Sequence, residues 1–198
     1  MKIYAILGQT LSGKTTLVRD LVTATGIKQV TTYTNRPMRD GEIDGKDYYF
    51  VSTEELEKPQ YFGHRYFYTK YREEPFIYAM KVNDFILSQE DKIVITDPQG
   101  LRELKNKFTN MVVSVYVNAS RDLIRERARK RGDSIDEVNR RLSVDRNLFV
   151  SAPYFADIVL DADNDDMLQY MYNELKGRVH NEIDRRDQTR QERNWLWI

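Results

Sequence analysis

The stretch Gly8-Gln9-Thr10-Leu11-Ser12-Gly13-Lys14-Thr15 constrains this chain more than any other. A glycine, four free positions and then Gly-Lys-Thr form a pattern that cradles phosphate. Small residues let the backbone N–H groups turn inward, and a lysine and a hydroxyl stand where a helix begins. The flanks agree: Ile3 to Leu7 is an apolar run of strand length, and Thr15 to Ala24 places Leu17 and Leu21 at helical spacing. Strand, loop and helix in that order aim an unpaired helix N-terminus at whatever anion the loop holds. Gly8, Ser12, Gly13, Lys14, Thr15 and Thr16 are the candidate triphosphate residues, with Lys14 reaching the outer phosphates and the Thr15 hydroxyl ligating Mg2+. A plain glycine turn between a strand and a helix is the competing reading.

Composition narrows the partners. Lys and Arg number 31 and Asp and Glu number 31, so no global field favours nucleic acid or an anionic membrane, and anion binding must be local. Cysteine is absent, which excludes thiol catalysis, thiolate zinc sites and disulfides. His64 and His180 are too few and too separated for a metal centre. No apolar run reaches membrane-spanning length, and the N-terminus enters a strand at once without a signal-peptide pattern. The expectation is a soluble, cytoplasmic protein with neither nucleic-acid nor membrane partners. At 198 residues it suits one domain with inserted lobes.

Farther along, Gly26 stops the first helix and Lys28 to Thr32 reads as a strand. Arg36 and Arg39 flank Pro37, with Tyr48 beyond; these residues fit a phosphate held from several sides, although composition alone favours a solvated loop. Ser52 and Glu55 have capping-box spacing for a helix over 53–58, and the aromatic stretch Tyr61 to Tyr78 reads as strands of a small mixed lobe. A short helix is expected over 83–89. The strand Ile93 to Ile95 runs into Asp97-Pro98-Gln99-Gly100, where the acid can anchor a magnesium-water shell or cap the helix expected over 101–108.

A strand over 111–117 precedes Ser120, the cap of a helix over Arg121 to Arg131. After Gly132-Asp133, Ser134 and Glu137 open a second helix with capping-box spacing. Eight arginines and one lysine against six acids make the segment from Arg121 to Arg146 locally positive, with Arg127 and Arg131 one helical turn apart. A strand over 157–161 follows, then Asp165 and Asp166 lead a helix with Leu168, Met171, Tyr172 and Leu175 on one stripe. The apolar runs at 3–7, 93–95, 111–117 and 158–160, separated by helical patterns, predict an α/β fold whose parallel sheet is covered on both faces.

The segment Thr31 to Ser52 resembles the substrate-phosphate segment of guanylate kinases, matching at Arg36, Arg39, Gly41, Glu42, Gly45, Asp47, Tyr48, Phe50, Val51 and Ser52. The resemblance implies that Arg36, Arg39 and Tyr48 grip the monophosphate of an acceptor nucleotide, with Thr32 near its base and Tyr78 a further phosphate ligand. Met80 stands where that family has a base-reading hydroxyl. The guanine-reading glutamate has no counterpart in Phe62 to Tyr71, which leaves Glu73 or Glu74 as its nearest substitute. Asp97 matches the family's Asp-x-Gln-Gly, with Ile95 in place of an acid two residues earlier. Arg140-Arg141-Leu142-Ser143 is similar to the family's lid, so by position Arg131, Arg141 and Arg127 close over the donor phosphates.

The resemblance spans roughly residues 1–176. It implies a P-loop NTPase core over 1–32, 88–118 and 147–176, an acceptor lobe over 33–87 and a helical lid over 119–146, with 177–198 as an extension. The implied activity is Mg2+-dependent phosphoryl transfer from ATP to a nucleoside monophosphate, GMP or dGMP first. Two alternatives stay open: a kinase of the same fold for another nucleoside monophosphate or a phosphosugar, and a non-catalytic interaction module, against which the intact loop argues. The tail Trp195 to Ile198 docks on the protein itself or meets a partner, a homodimer included.

Overall fold

A computed structural model of the chain describes residues 1–69, 72–164, 166, 170, 171, 173 and 174. Its elements are β1 (Ile3–Gly8), α1 (Lys14–Thr25), β2 (Lys28–Val30), β3 (Tyr33–Thr34), β4 (Tyr49–Phe50), α2 (Thr53–Leu56), β5 (Tyr61–Thr69), β6 (Arg72–Lys81) and α3 (Asn83–Ile86). They continue with β7 (Lys92–Ile95), α4 (Pro98–Phe108), β8 (Val112–Asn118), α5 (Arg121–Arg131), α6 (Ile135–Phe149), α7 (Ala152–Phe155) and β9 (Ile158–Asp161).

Five strands form one sheet in the order β2-β7-β1-β8-β9, with every pairing parallel. All six residues of β1 are buried, because strand side chains alternate and both faces of this sheet are covered. Ile3, Ala5 and Leu7 share one core with Leu101, Leu104 and Phe108 of α4. Tyr4 and Ile6 pack on the other side against Leu17, Val18 and Leu21 of α1. Each such side chain contributes about 1.5 to 3 kcal/mol by leaving water, and Leu21→Ala would cost about 2 to 5 kcal/mol. The parallel sheet covered on both faces, expected from the apolar runs, is the one observed, and its first strand leads into the loop of the phosphate pattern.

A second sheet, in the order β4-β3-β6-β5, forms the small mixed lobe. Its two outer strands are a short parallel partner and a long antiparallel one. Tyr33, Leu56, Tyr61, Ile77 and Ala79 make its own core. Its edge strand β5 lies on α4, where Gly63 makes the close approach: φ is +64°, and a Cβ there would stand 2.8 Å from the Met80 methyl and 3.3 Å from the Glu103 side chain.

Several boundaries differ from expectation. The strand expected over 28–32 ends at Val30, since Tyr33 and Thr34 cross into the second sheet and the Thr32 carbonyl accepts from the Tyr49 amide. The helices at Ser52 and Asn83 are one turn each, ending at Leu56 and Ile86. The helix expected from Leu101 begins at Pro98, because Asp97 caps it and proline fits a first turn that needs no N–H. Ser52 does cap α2 through the Glu55 amide, but the Glu55 carboxylate turns to Lys58 and Tyr61 and does not close the box. At Ser134 no side-chain cap forms, and the Glu137 carboxylate is taken by two arginines, so the expected box is absent on both sides. Helix α6 runs unbroken to Phe149, so the lid boundary read at Arg146 falls inside it. Met171 is buried in the α1-side core, while Asp165, Leu168, Tyr172, Leu175 and the Trp195 tail lie outside the described residues. Among the described residues, no helix is long and apolar enough to cross a membrane.

Candidate active site

The loop between β1 and α1 curls tightly because Gly8 has no side chain. A Cβ there would meet Ser12 Oγ at 2.6 Å and the Val117 carbonyl at 2.7 Å. Leu11 takes a left-handed conformation, φ 61°, which costs energy for a branched residue; its carbonyl accepts a 3.1 Å bond from the Arg127 guanidinium. Ser12 is wholly buried, and its hydroxyl has no partner among the described residues. The side chain expected at the phosphates thus lies under the loop. Lys14 Nζ donates to the Gln9 carbonyl at 2.7 Å. Burial lowers the Lys14 ammonium from 10.5 to about 8, with Asp145 opposing the shift. A cleft of ≈ 470 Å³ opens over the helix start, lined by Lys14, Thr15, Thr16, Asp20, Arg127 and Arg131 among others.

A second cavity, ≈ 210 Å³, joins the loop to the small lobe. Gly8, Thr10 and Lys14 line one side and Thr32, Tyr48 and Tyr78 the other, with Arg65, Thr96, Asp97 and Asp145 between. Arg36 is almost fully enclosed at 6 % exposure. Its Nε donates to the Tyr78 hydroxyl at 3.1 Å, one terminal nitrogen to the Pro37 carbonyl at 2.6 Å, and the other to Glu42 at 2.8 Å. Glu42 also accepts from the Arg39 amide at 2.8 Å, while the Arg39 side chain is exposed. Tyr48 and Tyr78 meet edge to face at 5.6 Å. The structure therefore gathers Thr32, Arg36, Tyr48 and Tyr78 and leaves Arg39 at the rim.

Two readings of the base-recognition segment need correction. Met80 is fully buried in the α4-side core and does not line the cavity. Glu73 and Glu74 are exposed on β6 and do not line the cavity, because they sit toward the far end of the β5–β6 hairpin.

Asp97 serves as the cap of α4: one oxygen accepts from the Gly100 amide at 2.9 Å, and the other is paired with Arg65 at 2.7 Å. A carboxylate offers about four lone-pair sites, so each oxygen keeps capacity for a water or a cation. With the Thr15 hydroxyl, these donors fit a magnesium ion that retains most of its waters.

On α5, Arg127 and Arg131 face the loop cleft. Arg141 does not line either cavity. Its Nε donates to Glu137 at 2.7 Å, and Arg140 holds the same carboxylate with two bonds. Together they pull the Glu137 carboxyl down to about 2.

The guanylate kinase family model matches residues 1–181. The chain belongs to the guanylate kinase family. It is 32% identical over 177 residues to the guanylate kinase of Neisseria gonorrhoeae, covering 83% of this chain and 80% of that one. Identity to the guanylate kinase of Symbiobacterium thermophilum is 31% over 147 residues, 71% and 68% of the two chains. Among solved structures, a guanylate kinase from Anaplasma phagocytophilum superposes with a TM-score of 0.63 at 21% identity, over 89% of this chain and 85% of that one. A gluconokinase from Sinorhizobium meliloti gives 0.52 at 13% identity, over 93% and 97%. At such identities these two structures bear on the fold alone. Family membership carries its enzyme class, nucleoside monophosphate kinase.

Two charged residues of this guanylate-kinase-family site escape a motif-based reading. Arg65 is 6 % exposed on β5, where a register shift after Phe62 puts it on the face of its partner Tyr78, the face opposite to that of Tyr61, so strand alternation carried no signal for it. Asp145 lies one helical turn after Arg141 on α6, a spacing that puts both on one face.

Proposed function

We propose that the chain transfers the terminal phosphoryl group of ATP to the phosphate of a nucleoside monophosphate, GMP or dGMP first, giving ADP and the diphosphate. One observation carries this reading: the cavity that joins Lys14 and Thr10 of the phosphate loop to Tyr48 and Tyr78, where Arg36 is anchored. In-line transfer needs the two phosphates end to end in a water-poor space, with cations on the transferring group and no covalent intermediate.

The roles follow from position. Gly8, Gly13, Lys14, Thr15 and Thr16 hold the donor, with Ser12 acting through its backbone; Arg36, Arg39, Tyr48 and Tyr78 hold the acceptor phosphate, with Thr32 beside the base. Thr15 and Asp97 hold Mg2+, which when bound neutralises charge on the donor phosphates. Arg127 and Arg131 approach the donor from α5, and Arg141 joins when its side chain changes rotamer and leaves Glu137, one turn earlier on the same helix. The division of labour is a core over 1–32, 88–118 and 147–176, an acceptor lobe over 33–87 and a lid over 119–146. A cytoplasmic enzyme suits the cysteine-free composition.

A second acceptor class is favoured by one observation. The position of the base-reading hydroxyl is Met80, buried in the core. Sites without hydrogen bonds to a base edge discriminate only about 10- to 200-fold per group. Relative kcat/KM for GMP, dGMP, AMP, CMP, UMP and dTMP, with ATP and Mg2+, tests both readings. Guanine preference above about 10⁴ supports a hydrogen-bonding base site; turnover on none of them favours a phosphosugar acceptor or a non-catalytic role.

A further inference from the structure

Arg65 is a buried cation with unused donors. Its only hydrogen bond among the described residues runs from one terminal nitrogen to Asp97 at 2.7 Å, and its Nε has no partner there. The Thr96 hydroxyl beside it, on a residue 4 % exposed, is unpartnered in the same sense. Both residues line the ≈ 210 Å³ cavity with Lys14, Tyr48 and Tyr78. Leaving buried donors unmade is expensive, so a site built this way is matched to a ligand rich in acceptor oxygens.

The neighbours say which part of the ligand. Arg65 lies over the Tyr78 ring, 5.7 Å from its centroid, while Arg36 donates to the hydroxyl of that tyrosine. Burial and Tyr78 raise the Tyr48 phenol, and Arg65 and Arg36 pull it down, so both cations act on the Tyr48 hydroxyl. Arg36, however, already spends Nε and both terminal nitrogens on Tyr78, Pro37 and Glu42. A monophosphate brings about two negative charges and three acceptor oxygens, more than Arg36 alone can meet.

We propose that Arg65 is a ligand of the acceptor's phosphate, on the side of that phosphate facing Lys14, and that Asp97 orients it there. The inference rests on the nucleoside monophosphate kinase reading and adds to it a cation that no motif match assigns. A guanidinium fork turned toward the transfer gap binds the phosphate whatever base the acceptor carries, which separates this role from base reading.

The test compares wild type, Arg65→Gln, Arg65→Lys and the double variant Arg65→Gln/Asp97→Asn. KM is measured for two accepted nucleoside monophosphates with different bases, and affinity for the parent nucleosides by calorimetry. Arg65→Gln should raise both KM values by the same factor, about 10- to 100-fold, with nucleoside affinity unchanged and partial recovery in Arg65→Lys. An unchanged KM overturns the proposal, as does a loss confined to one base or shared by the nucleosides. Should Arg65→Gln fail to fold with Asp97 unpaired, the double variant removes both charges, and wild-type KM in it is equally fatal. If wild type turns over no nucleoside monophosphate, the functional reading fails by itself; Arg65 is then judged by whether inorganic phosphate binding weakens in Arg65→Lys.

Discussion

The Asp145 carboxylate on α6 accepts a 2.6 Å hydrogen bond from the Thr10 backbone amide. An acid of α6 thus holds an amide at the mouth of the phosphate loop and faces Lys14 across the same cavity. Like charges about 5 Å apart repel by about 3 kcal/mol at an effective dielectric of about 20. Asp145→Ala should therefore raise affinity for a non-hydrolysable ATP analogue by about tenfold or more, read by calorimetry. Equal or weaker binding would show that the carboxylate does not compete with the donor.

Lys14 links binding to pH. Burial brings its ammonium from 10.5 to about 8. Between those values the unfolded chain keeps a proton that the folded, unliganded chain has released, so this group adds stability as pH rises through that window. Phosphate reverses the preference by pairing with the charged form. Above a pH of about 8, ATP binding should take up a proton, seen as a binding enthalpy that changes with the buffer's ionisation enthalpy. Lys14→Met should lose the effect and the phosphoryl transfer while keeping its circular dichroism spectrum.

Arg36 and Arg39 should separate in stability and agree in binding. Arg36→Ala strips three hydrogen-bond partners and leaves Glu42 half enclosed without its cation, a loss of about 1.5 to 3 kcal/mol in denaturant unfolding. Arg39 is exposed, and its alanine variant should stay within about 0.5 kcal/mol of wild type. Both should weaken acceptor binding by about 1.5 to 3 kcal/mol and leave ATP affinity nearly unchanged. Loss of ATP affinity alone would contradict the division into acceptor lobe and donor core.

Glu137 holds Arg141 in reserve. Arg141→Ala should lower kcat by about 100-fold with a smaller change in KM for ATP, as for a donor engaged mainly in the transition state. Glu137→Gln weakens the tether and should keep or raise kcat. A Glu137→Gln enzyme as slow as Arg141→Ala would make the ion pair itself the working unit.

The core was readable because a parallel strand buried on both faces becomes an apolar run, as in Ile3 to Leu7 and Val112 to Val117. The edge strand β2 buries only Val30, and β3 and β4 are two residues each, so neither period nor length marks them. In the site, residues tied to a local motif could be found from their spacing. Arg65 and Asp145 could not, because their roles depend on partners 32 and 135 positions away, Asp97 and Thr10, which only the folded chain brings near. Met80 was misplaced for a related reason: it shares a strand face with Tyr78, which lines the cavity, but farther along that face the fold packs it into the α4-side core.

The contact of β5 with α4, through Gly63 against Glu103 and Arg65 against Asp97 at the helix cap, also fixes the leverage of the small mixed lobe. With strands about 4.8 Å apart, β4 stands three spacings, about 14 Å, from that edge, and β6 only one. Turning the lobe about the β5 edge displaces β4 about three times as far as β6. β4 is then the far end of a lever whose fulcrum lies beside Arg65 and Asp97. A small rotation at the site becomes a long stroke at that far edge.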